Sequence, residues 1–149
     1  MNARPLRPVM SVDEVNSFLD EAFPQLNGAN RDYEAISITP GACVVRLHAG
    51  YRHLRPGDTV SGPALFTLAD IGGYVCVLSH TGPEALSVTT NLNINFMRKA
   101  TAGPIDGHCR ILKLGKSLMV FDIDMRAGAG LTVAHATGTY AIPPKHVVT

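Results

Sequence analysis

Asp70 is the residue with the most chemistry to offer. It lies in Phe66-Thr67-Leu68-Ala69-Asp70-Ile71-Gly72-Gly73, within the most apolar stretch of the chain, residues 64–78. The length of that stretch and its lack of alternation predict a helix, apolar nearly all round and therefore buried on most sides. Aspartate is a poor residue there, because its side chain competes for backbone hydrogen bonds. It is also about two turns in, beyond the reach of the helix dipole. A carboxylate in low dielectric is costly unless it is bonded or functional. Two readings stand: a functional carboxylate, or a structural aspartate on a narrow solvated stripe or bonded to a neighbouring strand. Gly72-Gly73 follow at once, and each glycine costs about 1 kcal/mol in a helix interior relative to alanine. Another backbone or a ligand is expected to pass close by, with close packing the preferred reason.

The segment before the helix offers a second chemistry. Residues 57–63 lead into a helix start, where free backbone N–H groups can receive an oxyanion or phosphate. Pro63 has no N–H and suits the first turn, which leaves the Gly62 N–H available. Arg98-Lys99, Lys113 and Lys116 can attract a phosphorylated ligand. Other chemistries find no support. The histidines at 48, 53, 80, 108, 135 and 146 show no metal-ligand spacing. There is no G-x-S-x-G elbow, P-loop or G-x-G-x-x-G fingerprint. Cys43, Cys76 and Cys109 contain no C-x-x-C and each reads as a small buried hydrophobe. No metal and no cofactor is expected.

The 149 residues are about one domain's worth, and 46% hydrophobic content excludes disorder. Only 17% of residues are charged, against about 25% in an average soluble domain. That deficit suggests surface covered by another subunit. A net charge of +1 gives no broad footprint for nucleic acid. No apolar run is long enough for a membrane span, and the first ten residues have no apolar core of a secretory signal. The reducing cytoplasm is the expected compartment.

These groups need elements to hold them. Residues 1–10 read as a flexible or wrapping arm, with one domain over 11–149. Ser11-Val12-Asp13-Glu14 matches a capping box, with Val15, Phe18, Leu19 and Ala22 at helical spacing and Pro24 as the stop. From Tyr33 the period changes to two, giving a hairpin of residues 35–39 and 42–48 around Pro40-Gly41. After the apolar helix come four strand segments: 88–96, 105–114, 117–125 and 131–142. In the first, strict alternation puts Val88, Thr90, Leu92, Ile94 and Phe96 on one face and Thr89, Asn91, Asn93 and Asn95 on the other. The order is that of an α+β domain with an antiparallel sheet curved around one buried helix.

Leu65-Phe66-Thr67-Leu68-Ala69-Asp70, followed by residues 88–100 (Val-Thr-Thr-Asn-Leu-Asn-Ile-Asn-Phe-Met-Arg-Lys-Ala), resembles the hotdog-fold acyl-CoA thioesterases, above all the group typified by the phenylacetate-degradation enzymes. Leu114-Gly115-Lys116 and residues 133–140 fit the family's usual endings, so the resemblance spans about residues 33–142. It implies a long central helix wrapped by a curved antiparallel sheet, here with an extra N-terminal helix. It also implies dimers and often tetramers, with sites built from two subunits. The implied reaction is hydrolysis of an acyl-CoA thioester to a free acid and CoA. Asp70 would then be general base or nucleophile. Gly62 would donate its N–H to the thioester oxygen, and Thr89 would hold the water or carboxylate. Arg55, Ser61, Pro63, Arg98, Lys99 and Lys116 would meet the substrate. Two positions depart from the family pattern. Ser61-Gly62-Pro63 stands where His-Gly-Gly is common, and Arg55 where an asparagine is common. Two other readings accompany hydrolysis: a non-catalytic acyl-CoA or acyl-carrier binding protein, and an acyl-CoA hydratase or dehydratase. The last would want a histidine beside the carboxylate.

Overall fold

The first helix starts where its capping box predicts. The computed structural model describes residues 6–128 and 130–144. In it α1 (Val12–Ala22) begins after Ser11, whose hydroxyl accepts from the Glu14 N–H at 3.2 Å while the Glu14 carboxylate accepts from the Ser11 N–H at 3.0 Å. Pro24 ends α1 as expected and also opens a further single turn, α2 (Pro24–Asn27). Of the arm expected over residues 1–10, residues 1–5 lie outside the described part. Further along, the Val9 N–H donates to the Ser79 carbonyl at 2.7 Å, and Met10 is buried.

The hairpin follows as β1 (Tyr33–Thr39) and β2 (Ala42–Ala49). The polar connection after it carries one turn of 3-10 helix and a two-residue ribbon, β3 (Leu54–Arg55) with β4 (Thr59–Val60). Then come α3 (Gly62–Thr81), β5 (Val88–Phe96), β6 (Gly103–Leu114), β7 (Leu118–Ala127) and β8 (Leu131–Ala141). The six long strands form one antiparallel sheet in the order β1-β2-β6-β7-β8-β5. The chain passes from β2 through α3 to the far edge at β5, then fills the gap with β6, β7 and β8. The sheet thus lies around α3, as a helix apolar on most faces requires. By length and composition alone α3 could cross a membrane. Here 14 of its 20 residues are buried, and it forms the centre of the core.

Gly72 and Gly73 are explained by packing. A Cβ on Gly72 would lie 2.4 Å from the Ile123 side chain; one on Gly73 would lie 2.4 Å from the Phe121 ring and 2.9 Å from the Tyr140 ring. Gly138 on β8 faces the same Phe121 ring, where a Cβ would come within 2.6 Å. The fully buried Phe121 ring therefore occupies a slot walled by two glycines. Gly73→Ala gains about 1 kcal/mol of helix propensity but overpacks this slot, which typically costs about 1–3 kcal/mol and sometimes more. A lower midpoint in denaturant is expected, with partial recovery in Gly73→Ala/Phe121→Leu. An unchanged midpoint would show that the slot has room to spare.

The fold also brings the three cysteines together. All are buried as expected, but Cys43 on β2 and Cys109 on β6 are direct cross-strand partners, and Cys76 of α3 sits against them. Their proximity depends on a strand register that no local pattern reveals.

Candidate active site

The only stretch of α3 that its own sheet leaves open runs through Pro63, Phe66, Thr67 and Asp70. These positions have helical spacing and form one stripe. The next ten residues, 71–80, are all buried, so Asp70 sits where the open stripe ends. Its carboxylate is half-buried and anchored on one side. Thr89 of β5 donates its hydroxyl to Asp70 Oδ1 at 2.5 Å, and the Tyr140 hydroxyl of β8 lies 2.8 Å from the same oxygen and 2.9 Å from the Asp70 carbonyl. Oδ2 has no protein partner among the described residues. One carboxylate oxygen is thus fixed while the other is free to meet a water or a substrate carbon. Burial, followed by the negative charge of Asp70, holds the Tyr140 phenol far above its usual range, so it remains a protonated donor.

Strict alternation would turn Thr89 away from the helix-facing Leu92 and Ile94, and this expectation is corrected. Thr89 pairs with Tyr140 and Asn91 with Thr139, so Thr90 is an extra residue, a bulge in β5. A bulge shifts the side-chain phase by one residue. It puts Thr89 on the inner face with Leu92, Ile94 and Phe96, within reach of Asp70. Tyr140 was not singled out from sequence. Its signal is the pattern Ala134, Ala136, Gly138, Tyr140 on β8, where a large residue with a polar tip follows three small ones along the helix-facing side.

At the start of α3 one donor is free. Of the first four N–H positions, Pro63 has none, Ala64 donates to Ser61 Oγ at 3.2 Å, and Leu65 donates to the Ser61 carbonyl at 3.2 Å. The Gly62 N–H is left without a partner among the described residues. Ser61 is the N-cap, with its hydroxyl oxygen engaged by the helix. Gly62 and Asp70 are eight residues apart on one helix, or about 12 Å along its axis.

The remaining predicted residues are dispersed. Arg55 is exposed on β3, with only a long contact of 3.4 Å to the Pro56 carbonyl. Lys116 is exposed in the β6–β7 turn, at the end of the sheet where Val88 meets Ala141. Arg98 and Lys99 lie at the other end, in a cleft that they share with Arg46 and Arg126. Arg46 holds Asp106 through two contacts, 2.7 and 3.0 Å, and its guanidinium keeps the Asp106 carboxyl below the usual range. Arg126 bonds Asp124 at 2.6 Å. Arg98 and Lys99 have no ion-pair partner among the described residues, so the cleft carries surplus positive charge. Arg46, Asp106 and Arg126 are successive register partners on three strands, a juxtaposition hidden in the sequence.

Residues 57–134 match the family model described as the thioesterase superfamily. A solved structure from Silicibacter sp. TM1040 that carries the name of a thioesterase is 40% identical, with a TM-score of 0.84 over 97% of this chain and 99% of that one. A Ralstonia eutropha structure, named as a thioesterase and phenylacetic acid degradation-related protein, is 25% identical with a TM-score of 0.69, covering 74% of this chain and 84% of that one. A curated Pseudomonas aeruginosa protein named as an esterase is 34% identical over 67% of this chain and 75% of its own length.

Proposed function

Because the chain belongs to the thioesterase superfamily, we propose that it hydrolyses an acyl-CoA thioester to the free acid and CoA, with Asp70 as the attacking or water-activating group. The observation that carries this reading is the asymmetric carboxylate: Oδ1 is held by Thr89 and Tyr140, and Oδ2 is left open beside the exposed stripe of α3. A thioester carbonyl gathers negative charge as it is attacked. A fixed N–H stabilises that charge, and one such donor is worth about 3–4 kcal/mol. The free Gly62 N–H suits this role. Thiolate is a good leaving group, so no strong acid is required.

The separation of Gly62 from Asp70 along one helix favours a site shared by two copies, with Asp70 from one and Gly62 from the other. β5 supports this. It is an edge strand of nine residues with its outer side unpaired among the described residues, and Leu86, Val88, Phe96 and Met97, on it or beside its ends, are more than half exposed. An edge so long and apolar is ordinarily covered. A homodimer is the smallest assembly that covers it, and sedimentation at micromolar concentration should give at least twice the 15.9 kDa chain mass. Arg98 and Lys99, in the basic cleft beyond the helix start, suit the phosphates of CoA. A hydratase reading loses ground, since no histidine bonds Asp70 among the described residues.

The reading is tested by free-thiol release over a panel of aliphatic and aromatic acyl-CoAs. Turnover of at least one member supports it; tight binding of the panel without thiol release would make the protein an acyl-CoA binder. In the active case, Thr89→Val keeps the shape of the side chain and removes one hydrogen bond to a charged group. Such a bond is worth about 1.5–3 kcal/mol, so kcat should fall about 10- to 100-fold with little change in KM. A rise in KM alone would assign Thr89 to substrate binding.

A further inference from the structure

We propose that Cys43, Cys76 and Cys109 form a buried three-thiol site for trivalent arsenic, clamped between α3 and the adjacent strands β2 and β6. The three Sγ atoms lie within 4.8 Å of one another, and Cys43 and Cys76 are only 3.1 Å apart. Each thiol comes from a different element. Cys43 and Cys109 face each other across the β2–β6 ladder, and Cys76 of α3 closes the triangle from above. Relative exposures are 2%, 0% and 2%, and these are the chain's only cysteines. The cluster is separate from the Asp70 site and independent of the proposed hydrolysis.

Thiolates select soft ions, and the number of donors and the charge narrow the choice. Zinc in proteins takes four ligands, and no fourth cysteine, histidine or carboxylate joins the group among the described residues. The nearest ionisable ring is His80, one turn further along α3. Both of its ring nitrogens are engaged elsewhere: the Gly41 N–H donates to Nε2 at 2.9 Å, and Nδ1 lies 2.9 Å from the Cys76 carbonyl. Three thiolates around a monovalent or divalent ion would leave net negative charge in the core, where unpaired charge is costly. A trivalent centre makes the complex neutral. The reaction balances without an oxidant: arsenous acid, As(OH)₃, exchanges three As–O bonds for three As–S bonds. Each thiol proton leaves with a hydroxide as water, and arsenic stays trivalent.

The test is native mass spectrometry of the reduced full-length protein after prolonged incubation with arsenite. Loading requires local opening of the core and is slow. The expected product carries one arsenic and has lost three hydrogens, with a raised melting temperature. Cys43→Ala and Cys76→Ala each remove one intramolecular bond, so retention against a small dithiol competitor should weaken by about 10²-fold or more. Three results would overturn the proposal: no adduct even after refolding in the presence of arsenite, an adduct that keeps a hydroxyl and has lost only two hydrogens, or Cu(I) held more firmly than arsenic against the same dithiol. The wild-type mass alone decides the stoichiometry, even if a variant folds poorly.

Discussion

Asp70→Asn should lower kcat for acyl-CoA hydrolysis by at least about a hundredfold, the low end for loss of a general base, and leave the melting temperature close to that of the unmodified chain. Asparagine is nearly the same size, and its carbonyl oxygen can still accept from Thr89 and Tyr140, which lie at 2.5 and 2.8 Å from Asp70 Oδ1. The anchored side of the group therefore survives. What disappears is the negative charge and the basicity of the free side. An amide neither takes a proton from water nor attacks a carbonyl. Free-thiol release under saturating substrate measures the loss, and thermal unfolding checks the fold. Near-normal turnover would remove Asp70 from the chemistry and return it to a purely structural role.

The second large effect belongs to the start of α3. Gly62→Pro deletes the one free N–H in the first turn and should cost about 10²–10³-fold in kcat, the range for losing one oxyanion donor. The backbone is unusually permissive for this change. Ser61 has φ −71° and ψ 154°, the extended conformation that a residue before proline prefers. Gly62 is the first helical residue, where proline is well tolerated. A Cβ there would meet only the Phe96 ring, at 3.4 Å. Ser61→Ala is the control. It removes the cap on the Ala64 N–H and should cost about 1 kcal/mol of stability with a change of rate no larger than a few-fold. If Ser61→Ala instead abolished turnover while Gly62→Pro did not, the hydroxyl would be the oxyanion donor.

What could be foreseen divides along a physical line. The capping box at Ser11 and Glu14, the buried helix and the anomaly of Asp70 are local, written in residues a few positions apart. The central helix was anticipated over 64–78 and forms over Gly62–Thr81 because Ser61 and Pro63 set its start. Tyr140, the inward turn of Thr89, the cysteine triangle and the Arg46–Asp106–Arg126 row depend instead on how strands far apart in sequence are aligned. The bulge at Thr90 is the clearest case. One extra residue reverses the side chain of Thr89, and nothing in the local alternation of β5 announces it. The glycines at 72 and 73 were visible as anomalies, but the Phe121 ring that explains Gly73, and with it Gly138 on β8, became evident only when β7 was placed beneath α3.

The shared site is tested most directly by co-expressing the Asp70→Asn and Gly62→Pro chains. Each mixed dimer would hold one site carrying both lesions and one site carrying neither. At equal expression half the dimers are mixed, so activity should return to about a quarter of the wild-type level in a two-fold assembly, although each variant alone is nearly inactive. Activity that stays at the level of the single variants, with mixed dimers demonstrated by mass, would mean that Gly62 and Asp70 serve the same chain and would contradict the composite site.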